Sequence, residues 1–166
     1  MTTNEVYVSL EIAKLLKKVG FDLEVDKFYW YDRQQKKYFL TTLRNGEQPK
    51  SNEYLAPSLA IAQRWLRDVK NIDIEIHALV GMLHVKVYVP YISTYRPYVV
   101  TESDKHFGIT EEEAKEKNWL VQTQFALTYD NDRYPELPAH KYFHTYEEAQ
   151  QEAIMKTLKT LAIQIK

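Results

Sequence analysis

The sequence predicts an α+β fold: a single domain over residues 1–166, with an antiparallel sheet built from two hairpins plus a further strand and packed by about four helices mainly on one face. Three observations carry that expectation. Ile72-Asp73-Ile74-Glu75-Ile76-His77-Ala78 and Leu83-His84-Val85-Lys86-Val87-Tyr88-Val89 alternate apolar and polar residues with period 2, and Gly81 marks a turn between them. Phe28 to Tyr31 and Tyr38 to Leu43 are aromatic and β-branched runs around the polar loop Asp32-Arg33-Gln34-Gln35-Lys36, which reads as another hairpin. Elsewhere apolar residues recur at helical spacing behind capping residues.

The first helix has Ser9 as its N-cap, Ile12, Leu15, Leu16 and Val19 on one face, and Gly20 as the left-handed residue that stops it. The second begins near Ala56-Pro57-Ser58, with Pro57 accommodated in the first turn. It sets Leu59, Ala62, Trp65, Leu66 and Val69 on one side and Arg64, Arg67 and Lys70 on the other. A short third helix opens on the capping box Thr110/Glu113 and runs to about Lys117. The last opens on Thr145/Glu148 and carries Ala149, Ala153, Leu158, Leu161, Ala162 and Ile165 nearly to Lys166. Val121 to Tyr129 supplies the further strand, while residues 44–55 and 130–140 read as surface loops. A weak α-β-β repeat over 9–43 and 58–89 rests on element order alone.

The register of the central hairpin follows from keeping its faces unmixed, because a slip of one residue turns every side chain over. Pairing Ala78 with Leu83 sets Ile72, Ile74 and Ile76 against Val89, Val87 and Val85. It opposes Asp73 with Tyr88, Glu75 with Lys86, and His77 with His84 on the outer face.

Composition narrows the chemistry. With no cysteine, disulfides, thiolate zinc sites, Fe–S clusters and Cys nucleophiles are excluded. A chain of this length buries about 68–70% of its unfolded surface and needs no metal to fold. Lys and Arg number 22 against 23 Asp and Glu, a net charge of −1 that argues against a polycation and leaves only local patches to suggest partners. Met1-Thr2-Thr3-Asn4-Glu5 lacks a basic signal-peptide region. The longest apolar run, Ala78 to Leu83, is far short of the roughly 18 residues of a bilayer span, so a cytoplasmic protein with no membrane partner is expected.

Three segments carry a resemblance. Leu10-Glu11-Ile12-Ala13-Lys14-Leu15-Leu16-Lys17-Lys18-Val19-Gly20-Phe21 is the first. Ala56-Pro57-Ser58, leading into Gln63-Arg64-Trp65-Leu66-Arg67-Asp68-Val69 and Ile72-Asp73-Ile74, is the second, and Thr145-Tyr146-Glu147-Glu148-Ala149 is the third. Together, in this order, they resemble a family of short uncharacterised proteins encoded by gut bacteria and their phages. The resemblance implies a gene of phage or prophage origin and a cytoplasmic product. It carries no reaction, cofactor or catalytic residue, and it is silent on residues 99–134.

His77 and His84, opposed on one strand pair, are weak metal candidates, to which Glu75 or Asp73 could add an oxygen. Histidines on the outside of a hairpin are usually solvated, and zinc wants three or four ligands with supporting partners. His140 and His144 have the spacing of helical metal ligands, but Pro138 and the Thr145 cap place them outside a helix and no Glu follows His140. There is no nucleophile elbow, phosphate loop or dinucleotide fingerprint, and 4 glycines could hardly build one, so no cofactor and no catalytic residue is assigned. Glu111, Glu112 and Glu113, like Glu147 and Glu148, suit the positive end of a helix.

Two surfaces remain. Between Lys27 and Lys50 six basic residues stand against two acidic ones, with Tyr29, Tyr31 and Tyr38 as stacking platforms beside Arg33, Lys36 and Lys37; single-stranded nucleic acid is the partner these imply. Tyr88, Tyr91, Tyr95 and Tyr98, interleaved with Arg96, have the composition of a protein interface, because the ring buries area while its hydroxyl stays hydrogen-bonded. The favoured expectation is a non-enzymatic binding protein acting through contacts with a protein partner or with itself as a homo-oligomer. Nucleic-acid binding through residues 27–50 is the alternative.

Overall fold

The structure, a computed structural model, describes residues 5–43, 49–80, 86–117, 120–126 and 143–165. Helix α1 (Leu10–Lys18) opens where the Ser9 hydroxyl accepts the Ile12 N–H at 3.4 Å, and buries Ile12, Ala13 and Leu16. It closes at Val19, followed by Gly20 at φ 84°. Strands β1 (Lys27–Asp32) and β2 (Lys37–Thr42) form the expected hairpin. Its loop folds around Asp32, whose Oδ1 accepts the N–H groups of Gln34 and Gln35 at 2.8 and 3.1 Å, and Lys36 takes the left-handed conformation at φ 50°. A two-residue strand β3 (Tyr54–Leu55) adds to the other side of β1, giving the order β2-β1-β3.

Helix α2 (Leu59–Lys70) is capped by Ser58, so Pro57 lies ahead of the helix and not in its first turn; its carbonyl accepts the Val8 N–H at 3.0 Å. Leu59, Ala62, Trp65 and Leu66 face the core as their spacing predicts, whereas Val69, in the last turn, is half exposed. Asn71, left-handed at φ 54°, ends the helix and passes the chain directly into β4 (Ile72–Val80). Strand β5 (Lys86–Pro97) pairs with β4 on one side and with β6 (Leu120–Ala126) on the other. Beyond β5, α3 (Glu102–His106) and α4 (Glu111–Glu116) are short, and α5 (Tyr146–Gln164) is the longest helix.

The α+β class therefore holds, with two antiparallel three-stranded sheets in place of one and five helices among the described residues. Within the second sheet the register differs from the expected one. Ile72, Ile74 and Ile76 oppose Thr94, Ile92 and Pro90; Asp73 opposes Ser93, Glu75 opposes Tyr91, and His77 opposes Val89. The expected register paired Ala78 with Leu83 across a short turn at Gly81 and took the second strand only as far as Val89. Instead β4 and β5 pair over nine residues, and β5 runs on to serve as the centre of the sheet.

Pro90 is tolerated there because of where its nitrogen points. The Tyr95 N–H donates to the Asn71 carbonyl at 3.1 Å, so odd-numbered residues of β5 bond towards β4. Even-numbered ones bond the other way, as the Tyr88 N–H does to the Phe143 carbonyl at 2.9 Å. The proline nitrogen falls between that Phe143 bridge and the start of the β6 ladder at Tyr91, where no ladder bond to β4 is lost.

The core joins the helices to the inner face of the second sheet. Val8, Ile12, Leu16, Trp65, Leu66, Ile74, Ile92, Ile154 and Leu158 are all at most 2% exposed and form one cluster. Trp65 meets Phe21 edge to face at 5.4 Å and donates its indole N–H to Asp22 at 3.1 Å. Capping boxes fix α5 at Thr145/Glu148, as expected, and α3 at Thr101/Asp104, where the Thr101 and Tyr98 hydroxyls hold the Asp104 carboxyl below the usual aspartate range. Among the described residues no helix is long and apolar enough to cross a membrane.

Candidate interaction surfaces

The second sheet has two unlike faces. Even-numbered residues of β4 and β5 look towards the helices. On the outer face stand Asp73, Glu75 and His77 of β4, Tyr91, Ser93 and Tyr95 of β5, and Gln122 and Gln124 of β6. Glu75, His77, Gln122 and Gln124 are exposed, Tyr91 and Tyr95 are half-buried, and Ser93 between them is fully buried, its hydroxyl accepting the Gln122 side-chain N–H at 3.1 Å. The His77 Nε2 lies 3.1 Å from Glu75 Oε2, and the imidazole stacks at 4.5 Å on the Tyr91 ring.

Of the tyrosines expected to cluster, only Tyr91 and Tyr95 share this face. Tyr88 and Arg96 belong to the opposite face, where Tyr88 meets Tyr146 edge to face at 6.2 Å and lies under the Lys86 ammonium. Tyr98 lies past the strand and hydrogen-bonds Asp104, which raises its pKa. The expected pairs Asp73/Tyr88 and Glu75/Lys86 do not form. Of the expected His77/His84 pair, the position opposite His77 is held by Val89, and His84, like His140, lies outside the described residues. Among the described residues no three His, Asp or Glu side chains gather as metal ligands.

The first hairpin also divides its aromatics between two faces. Tyr29 points inward, its hydroxyl donating to the Val8 carbonyl at 3.0 Å, and burial raises its pKa. Tyr38 packs at a tilt against Tyr31 at 5.0 Å and against Tyr54 at 5.7 Å beneath the Lys14 ammonium, while Lys17 covers Tyr54 and donates to the carbonyls of Ser51 and Glu53. Tyr29 and Tyr38, two of the three expected stacking platforms, are thus engaged within the fold, while Tyr31 also lines the open groove beside Trp30.

On the other face, Trp30 and Phe39 lie opposite each other 6.1 Å apart, with Lys37 over Phe39. Trp30 is 37% exposed and borders an open groove of about 540 Å³. Arg33 and Lys50 supply cations to that groove, Asp32 and Glu53 anions, and Gln34 and Asn52 amides. Sequence reasoning passed over Trp30 and Phe39, although the period-2 alternation of the hairpin separates them from the tyrosines. Lys36 sits in the hairpin loop, and Arg44 lies outside the described residues.

No family model matches the chain, and neither a curated protein nor a solved structure matches it.

Proposed function

We propose that this chain is a non-enzymatic binding protein of phage or prophage origin, working in the cytoplasm through protein contacts on the outer face of its second sheet. The observation that carries the reading is the pair Tyr91 and Tyr95, half-buried on one strand about the buried Ser93 and rimmed by exposed Glu75, His77, Gln122 and Gln124. Rigid aromatic anchors surrounded by hydrogen-bonding side chains are the composition of binding hot spots. The resemblance of the three segments supports the phage-like context. A photo-crosslinking residue at Gln124 should trap a partner in host cells, and the Tyr91→Ala/Tyr95→Ala double variant should lose it while melting as a folded protein. Crosslinks that persist in the double variant would remove this face from consideration.

A second reading is favoured by one observation, the groove beside Trp30. An exposed indole with Arg33, Lys37 and Lys50 nearby matches the ring-and-cation pattern that holds single strands. An oligothymidylate should then quench the fluorescence of Trp30 with an affinity that falls steeply with salt, and Arg33→Glu/Lys37→Glu should abolish the quenching. Salt-independent quenching, or none, sinks it.

A further inference from the structure

The free side of β4 is protected at one point and open beyond it. Odd-numbered residues of β4 bond to β5, so the N–H and C=O of Ile72, Ile74, Ile76, Ala78 and Val80 point away from the sheet. At Ile74 both groups are satisfied. Its N–H donates to Asp73 Oδ1 at 3.0 Å and its carbonyl accepts from the Gln63 side chain, which Gln150 holds in turn at 2.5 Å. Past Ile74 this protection stops. Among the described residues, Ile76, Ala78 and Val80 have no hydrogen-bond partner on this side, and the segment has none of the lysine or proline that blunts strand edges. Leu79 and Val80 are 40% and 68% exposed.

We infer that this edge pairs antiparallel with the same edge of a second copy of the chain, joining two three-stranded sheets into one of six strands. The register follows from the block at Ile74. An axis of symmetry through Ala78 places Ala78 against its own copy and Ile76 against Val80, which engages all three open residues of each chain. An axis through His77 engages only Ile76 and Ala78, demands the blocked Ile74, and sets one imidazole against the other. With the axis at Ala78, His77 meets Leu79, and the acidic Asp73 and Glu75 fall outside the paired segment, so no like charges oppose. The edge can therefore pair with itself without using a blocked backbone group and without opposing like charges. The inference goes beyond the outer-face reading and does not depend on it.

Sedimentation equilibrium of the full chain should show a reversible dimer. Ala78→Pro deletes the central N–H of both copies at once, yet that nitrogen makes no bond to β5, so the hairpin is kept while dimerisation weakens roughly tenfold or more. Val80→Lys should weaken it as well, through charge and not through the backbone, and serves if the proline variant fails to fold. Tyr91→Ala should leave the dimer unchanged, which separates this outcome from failure of the outer-face reading. A strict monomer at every concentration overturns the inference. So does a dimer indifferent to both edge variants, or a monomer that instead takes up an unrelated extended peptide along residues 76–80.

Discussion

The two sheets have the same number of strands and are attached to the helices by different physics. The sheet β2-β1-β3 buries little aliphatic surface. It is fastened by the Tyr29 hydroxyl on the Val8 carbonyl and by Lys14 and Lys17 lying over Tyr38 and Tyr54. The sheet β4-β5-β6 is fastened by Ile74 and Ile92, 1% and 2% exposed, pressed into the cluster that includes Leu66, Ile154 and Leu158. A layer of close-packed aliphatic chains resists loosening as a block, whereas rings held by hydroxyls and cations can be released one contact at a time. Most of the fold's stability should therefore reside with the second sheet.

The strongest way to break that contrast is Ile92→Ala, expected to cost about 2–5 kcal/mol by leaving a cavity between β5 and the helices; chemical denaturation would measure it. A loss below about 1 kcal/mol would mean that the apolar layer is not the main fastening. Tyr29→Phe removes one hydroxyl from the first sheet and should cost about 1 kcal/mol in the same assay. Lys14→Met keeps the stem and removes the charge, so it should cost no more than about 0.5–1 kcal/mol, with the difference shrinking in high salt.

Alkaline titration sharpens the contrast without mutation. Burial raises the Tyr29 phenol, and burial together with Tyr54 raises that of Tyr38, so the unfolded chain loses these protons first. Their contribution is complete below the ordinary tyrosine range and is lost as pH climbs through the higher folded values. Amide exchange should then rise in β1 and β2 before it rises in β4 and β5.

What was legible in the sequence is what is decided within a few residues. Ser9, Thr110 and Thr145 each accept the N–H three positions on, as their spacing predicts, because a cap needs no information from the rest of the chain; Ser58 does the same, directly after the proline that was expected inside the first turn. The hairpin loop at Asp32 is equally local. Thr101 with Asp104 is the same device, overlooked because the helix behind it is only five residues long. The register of β4 with β5 was not legible: whether Pro90 ends a strand depends on which side its nitrogen faces, and the chain on that side, Phe143 and β6, is distant in sequence. The same holds for β3, whose two residues become a strand only because β1 lies beside them. On the candidate surfaces, composition found the tyrosines, but the separation of Tyr88 from Tyr91 and of Trp30 from Tyr29 required strand parity, and parity required the register.

Asn71 is also a mechanical joint. One residue in a left-handed conformation is the entire joint between α2 and β4, with no slack on either side. Whatever grips the free margin of β4 pulls on α2 as directly as on the strand, and through Trp65 on the middle of the cluster. Lengthening that joint by a few flexible residues would uncouple the grip from the interior while leaving each element its own sequence.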